Sequence, residues 1–133
     1  MSTSIFITLP VSDLRQAIAF YEALGYKRNP QLSDDTASGI VISDTITVML
    51  GTKVRFQELS PKPLSDAKTS CQVLLTLTCE SREAVDALVA KAVAAGGTKA
   101  HEPEDYGFMY QCGFYDLDGH GWGLTWMDMS KAS

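Results

Sequence analysis

Metal-binding side chains are scarce: the 133 residues include two histidines and three cysteines. No site that demands three histidines can therefore be assembled. Cys71, Cys79 and Cys112 are odd in number and widely spaced, which excludes a disulfide framework or a zinc ribbon. They read as small core residues of a protein kept in a reducing cytoplasm. No apolar run approaches the ~20 residues of a membrane span. Residues Met1–Pro10 lack a basic region followed by a long apolar stretch, so no secretory leader is expected. Positive charge is also in short supply, with 11 basic residues against 16 acidic ones and a net charge of -5. Such a surface repels phosphate backbones. The expected setting is cytoplasmic, with neither nucleic acid nor membrane as a partner.

What is present suits a single α+β domain over residues 1–133. Hydrophobic residues make up 45% and charged residues 20%, the balance of a globular chain. Ser4–Pro10 is rich in β-branched and aromatic residues and reads as a strand. Ser12 offers an N-cap, with Asp13 in the first turn of the helix that follows. Leu14, Ala17, Ile18, Tyr21 and Leu24 give that helix one apolar face, and Gly25 ends it. A strand from about Tyr26 and two more, Gly39–Ser43 and Thr45–Leu50, complete a first module over about 4–51. The polar, proline-broken stretch over about 52–70 reads as a linker long enough to act as a cover loop.

The pattern then begins again over about 71–128. Cys71–Thr78 reads as a strand buried on both faces. Ser81 caps a helix carrying Val85, Leu88, Val89 and Ala92, which stops at Gly96-Gly97. A strand over Thr98–Glu102 precedes a hairpin, Gly107–Tyr115 with Gly121–Met127, turned at Asp118-Gly119. The order strand, capped helix, glycine stop and three strands thus occurs twice, although the two halves share few letters. Two half-sheets, each backed by one helix, imply a trough that takes a small molecule.

The pairing of LPVSDLRQAIAFYEALGY with FYDLDGHGWGLTW resembles the vicinal oxygen chelate superfamily. That superfamily includes glyoxalase I, bleomycin-resistance proteins, fosfomycin-resistance enzymes and extradiol dioxygenases. The stretches IFITLPVSDL, VISDTITVML, SREAVDALV, AAGG, GFMY and DLDGHGW look most like bacterial proteins labelled predicted lactoylglutathione lyases. The resemblance implies paired βαβββ modules in a curved mixed sheet, a concave ligand face and a homodimer.

It also implies positions for a divalent metal held by His and Glu, and those positions can be read in turn. Counting back seven residues from Asp13 reaches Phe6. The fourth strand of the first module offers Met49, a poor ligand for a hard ion. The strand opening the second module offers Val73 or Leu74, and the last strand offers Gly123 where the superfamily places glutamate. His101 and His120 remain, and each reads as a solvated or hydrogen-bonded histidine. A site combining His101 with Glu102, Glu104 or Asp105 is not implied by the spacing. The expectation is a protein without metal or other cofactor. The alternative is a metal-dependent lactoylglutathione lyase-like enzyme.

Strand alternation sketches the ligand face. Phe6, Thr8, Thr47 and Met49 point inward in the first module, with Gly123 and Thr125 in the second. A two-residue hairpin at Asp118-Gly119 sets Phe114 opposite Gly123, which adds Tyr110 and Phe108 to the same face. The acidic balance and aromatic lining favour a ligand that is partly aromatic or cationic. Asp116-Leu117-Asp118-Gly119 resembles the start of a calcium loop but lacks the later acidic ligands. No dinucleotide loop, phosphate loop or nucleophile elbow is present, so no catalytic residue is assigned.

Overall fold

In the computed structural model, which describes residues 3–130, the first strand β1 (Ile5–Val11) hands the chain to helix α1 (Leu14–Ala23) across one tight corner. The N-cap is Asp13 rather than Ser12: its Oδ1 accepts from the Gln16 amide at 3.1 Å. Asp13 has extended backbone angles, and a carboxylate there answers both an orphan amide and the positive helix end. Ala17, Phe20, Tyr21 and Leu24 are buried, so the apolar face is centred one residue away from Leu14 and Ile18, which are half-buried. Phe20 and Tyr21 meet edge to face, 5.1 Å between centroids.

Three antiparallel-linked strands follow: β2 (Lys27–Asn29), β3 (Ala37–Ser43) and β4 (Ile46–Thr52). The sheet order is β1-β4-β3-β2, and β1 runs parallel to β4. That parallel pairing requires a crossover, which α1 supplies. Ile40, Val48 and Leu50 are fully buried on the face that α1 covers. The stretch expected as a linker starts differently, because Thr52 caps a short helix α2 (Lys53–Leu59) through its hydroxyl. A Thr cap directly after a strand was masked in the sequence by the prolines at 61 and 63.

The chain divides between Asp66 and Ala67 into two compact units. The second repeats the order with β5 (Leu74–Thr78), α3 (Arg82–Ala94), β6 (Thr98–Lys99), β7 (Glu104–Asp105), β8 (Met109–Tyr115) and β9 (Gly121–Met127). Its path is β5-β9-β8-β6, with β7 also paired to β8, and β5 runs parallel to β9. Ser81 caps α3 as expected, accepting from the Ala84 amide at 3.0 Å. Gly25 and Gly96 end their helices at φ of 105° and 106°. Cys112, Phe114, Trp122 and Leu124 form the core under α3 with Val85, Val89 and Ala92.

Three expectations are corrected in this unit. β5 begins at Leu74 rather than Cys71 and alternates exposed with half-buried residues, as an edge strand does. The strand expected over Thr98–Glu102 is shortened to β6, and a separate two-residue strand, β7, follows after a loop through His101. Of the three free cysteines Cys112 is buried and Cys79 half-buried, but Cys71 is exposed. Burial pushes the Cys79 thiol upward, away from nucleophilic thiolate. Among the described residues, no helix is long and apolar enough to cross a membrane.

The hairpin turn decides the register of β8 on β9. Asp116 Oδ1 accepts from the amides of Asp118 (3.0 Å) and His120 (2.9 Å), and the Asp116 amide donates to His120 O. The loop is therefore three residues, Leu117-Asp118-Gly119, with Gly119 at φ 89°. A Cβ at Gly119 would lie 2.9 Å from the Ala67 carbonyl oxygen. Gly119→Ala should lower stability by about 1–3 kcal/mol. Urea unfolding measures this, and an unchanged midpoint would contradict the tight turn.

Candidate functional site

On the first sheet, the face opposite α1 carries two cross-strand rows. Phe6, Thr47, Val41 and Lys27 lie in one, and Thr8, Met49, Gly39 and Asn29 in the next. All four residues expected here, Phe6, Thr8, Thr47 and Met49, share this face. Phe6 is 56% exposed, a large apolar ring left in water, whereas Thr47 is buried. The turn at Pro30–Leu32 folds Leu32 over Gly39, where a Cβ would sit 2.8 Å from Leu32 Cβ and 3.3 Å from Met49 Sδ. The Met49 thioether is thus packed in an apolar corner. The Thr8 and Thr47 hydroxyls make no hydrogen bond among the described residues.

On the second sheet, the structure keeps Gly123 and Thr125 together and moves the aromatic residues away. Gly123 pairs with Gly113, and Phe114 pairs with Trp122. Phe114 and Tyr110 consequently face α3, and Phe114 is buried in the core. Phe108 precedes β8 altogether. The cause is the extra loop residue: a three-residue turn shifts the pairing by one, and one residue of shift exchanges the faces. The face opposite α3 instead presents Leu74, Gly121 and Tyr115 in one row and Thr76, Gly123 and Gly113 in the next.

A third row runs Thr78, Thr125, Gln111 and Glu104 across four strands. Gln111 Nε2 donates to Glu104 Oε1 at 3.0 Å, and the Tyr106 hydroxyl donates to Glu104 Oε2 at 3.1 Å. The carboxylate raises the Tyr106 phenol above its ordinary range. The Thr76, Thr78 and Thr125 hydroxyls make no hydrogen bond among the described residues. Sequence reasoning missed Gln111 and Glu104 as members of this face. The available signal was Gln111 at alternate spacing from Gly113, but β7 is two residues long and leaves no periodicity to read.

The opposite side of this sheet holds a structural latch. Arg82, in the first turn of α3, forks onto both oxygens of Asp105 at 3.2 Å and donates to Gly107 O at 2.7 Å. Its guanidinium stacks 4.5 Å from the Trp126 ring and 6.0 Å from Tyr110. The Arg82 fork, followed by the Gly107 amide, holds the Asp105 carboxyl below its ordinary range. The Tyr110 hydroxyl donates to Asp86 Oδ1 at 2.7 Å, and this bond, with desolvation, pushes the phenol up to about 12. These groups fasten the 100–108 loop to the helix.

The positions that the resemblance assigns to a metal carry no suitable donors. The side chains of Phe6 and Leu74 offer no nitrogen, oxygen or sulfur, Gly123 has no side chain, and Met49 offers a thioether. Leu74 rather than Val73 shares the face of Gly123, since Val73 precedes β5. Among the described residues, no group of three or more His, Cys, Asp or Glu side chains is arranged to hold an ion. His101 Nδ1 is 2.7 Å from Glu102 O in the loop between β6 and β7, and His120 follows the hairpin turn. A hard divalent ion does not fit this donor set.

Two titrations test the latch. Asp105 has a lowered folded pKa, so its contribution is complete above the ordinary aspartate value of about 3.9 and is lost as pH falls through the folded value. The hydrogen-exchange protection factor at the Gly107 amide should therefore stay constant from neutral pH to about pH 4.5 and fall below it. Arg82→Ala should reduce it at every pH, and Arg82→Lys should not restore it, because the ammonium lacks the fork. Separately, Asp86→Asn should bring the Tyr110 phenol back toward about 10, observed as its ring resonances in a pH titration. A latch without these bonds would show neither change.

The likeness to known proteins spans nearly the whole chain. A hypothetical protein of S. aureus is 36% identical, with 94% of each chain covered and a TM-score of 0.79. A glyoxalase/bleomycin resistance protein/dioxygenase family enzyme from Burkholderia phytofirmans PsJN shares the fold at 20% identity and a TM-score of 0.80, covering 96% of this chain and 100% of that one. A glyoxalase-related enzyme from Fulvimarina pelagi does so at 19% and 0.79, covering 95% and 88%. No curated protein matches by sequence. The family model matches residues 5–124, which reach into both units, and the chain belongs to the Glyoxalase/Bleomycin resistance protein/Dioxygenase superfamily.

Proposed function

We propose that the protein binds a small organic molecule on the sheet faces opposite its helices, without the divalent metal of metal-dependent relatives. The observation that carries this reading is the chemistry of Phe6, Met49, Leu74 and Gly123. Where a metal site would need imidazole and carboxylate, these residues provide an aromatic ring, a thioether, a branched alkyl group and bare backbone. Such surfaces contribute through dispersion, stacking and desolvation rather than through Lewis acidity. The free hydroxyls of Thr8, Thr47, Thr76, Thr78 and Thr125 add donors and acceptors that orient a ligand without fixing its charge.

A thermal-shift screen of drugs, dyes and metabolites tests the reading. A ligand at 100 times its Kd should stabilise the protein by about 2.7 kcal/mol. Thr47→Val or Thr125→Val should weaken a ligand on the corresponding sheet by about 1 kcal/mol, the net worth of one hydrogen bond. Failure of every class in the screen would overturn the binding reading. Metal analysis of protein purified without chelators tests the other half. A stoichiometric divalent ion would overturn the metal-free reading and favour a lactoylglutathione lyase-like enzyme instead.

A further inference from the structure

The far end of the second sheet gathers sulfur. Of the chain's five methionines, Met109 opens β8, Met127 closes β9 and Met129 follows two residues later. Met109 pairs directly with Met127. In the next pair the Asp128 amide donates to Phe108 O at 2.7 Å, and on its other side Met109 O accepts from the Tyr106 amide at 2.8 Å. Met109 and Met127 therefore exchange no backbone bonds with each other. In an antiparallel ladder this is the closer kind of pair, with Cα atoms about 4.5 Å apart and side chains nearest. Alternation puts both on the face of Gln111 and Thr125, and the Tyr106 bond extends the row to Met127, Met109 and Tyr106.

These methionines are open to water, unlike Met49 in its corner against Gly39 and Leu32. Met127 is 40% exposed and Met129 67%, and Met109 is half-buried. Beyond Met127 the Asp128 carboxylate accepts from the Ser130 amide at 3.1 Å, a turn that keeps Met129 beside the end of the strand pair. A thioether is a poor donor to the hard ions excluded above, but it selects soft ones such as Cu(I). The unbranched side chain, with three rotatable bonds, lets sulfurs from opposed strands converge on one point. A chain of net charge -5 also favours the approach of a cation.

We propose that Met109 and Met127, with Met129 as a third thioether, form a site for a soft monovalent metal ion of the Cu(I) class. The Tyr106 ring flanks the site. The proposal is independent of the small-molecule reading, since it uses residues at the end of the sheet and a donor chemistry that reading does not invoke.

Silver(I) is an air-stable probe of the same class. Its binding can be followed by NMR of the methionine methyl groups in the full chain carrying Cys71→Ser, which removes the exposed thiol. The Met109, Met127 and Met129 signals should move together and stop at stoichiometric silver, while Met49 stays in place. Excess zinc should move none of them. Met127→Leu keeps the apolar volume and removes one sulfur, so it should weaken silver binding at least about tenfold, the least that losing a metal partner costs. Met109→Leu should do the same and serves if the first variant does not fold. Unmoved signals at these methionines, equal movement at Met49, or silver affinity unchanged in both leucine variants would overturn the proposal.

Discussion

The carboxylate of Asp116 sets what the second sheet can present. By accepting from two amides of its own turn it stabilises a loop of three residues, and the loop length fixes Gly113 against Gly123. Every other assignment on that sheet follows from this pairing, because side chains alternate and a single-residue shift exchanges the two faces. With the observed register, Phe114, Trp122, Cys112 and Leu124 all turn toward α3 and close a core. With the alternative register, Phe114 and Tyr110 would stand on the other face, and Gly113 would take the place of an aromatic ring beneath the helix. A packed interior selects strongly between these, since a glycine there would leave a cavity the size of a phenyl ring. The turn and the core therefore agree on one register.

The two sheets use the same topology for different surface chemistry. In each, the first strand pairs in parallel with the last, so a helix must cross over one face and leave the other uncovered by it. On the first sheet that other face mixes Phe6, Val41 and Met49 with the hydroxyls of Thr8 and Thr47 and with Lys27 and Asn29 at the far strand. On the second, Leu74 and Tyr115 flank Gly121 at one end, and glycines, threonines, Gln111 and Glu104 make up the rest. The repeat thus supplies two scaffolds that display different side chains.

The architecture was legible because long-range order in this fold is written in local signals. Ser81 before a helix, Gly25 and Gly96 after helices, and β-branched runs of six or seven residues each act over a few positions. Phe6, Thr8, Thr47 and Met49 could be placed because β1 and β4 are each seven residues long and pair without a register shift, so that side chains alternate between the faces. The hairpin was harder. Asp-Gly signals a turn, but the choice between two and three loop residues depends on a side-chain bond from Asp116 that composition does not announce. β7 was harder still, since a strand of two residues owes its existence to the neighbour it pairs with. Glu104 and Gln111 entered the site only through that pairing.

Arginine 82 and glutamate 104 lie on opposite faces of one short hairpin-like edge, and the contrast between them follows from the alternation within β7. Residues Glu104 and Asp105 are adjacent, so one carboxylate must point to each side of the sheet. Asp105, on the α3 side, meets a guanidinium that is stacked on Trp126 and forked onto both its oxygens. Glu104, on the other side, meets an amide and a phenol. The first arrangement satisfies charge with charge and fastens the loop. The second satisfies geometry while leaving charge over, in a protein whose net charge is already -5. A strand of two residues with two carboxylates therefore does two jobs: one anchors the strand to the fold, and the anchored strand holds the other in place.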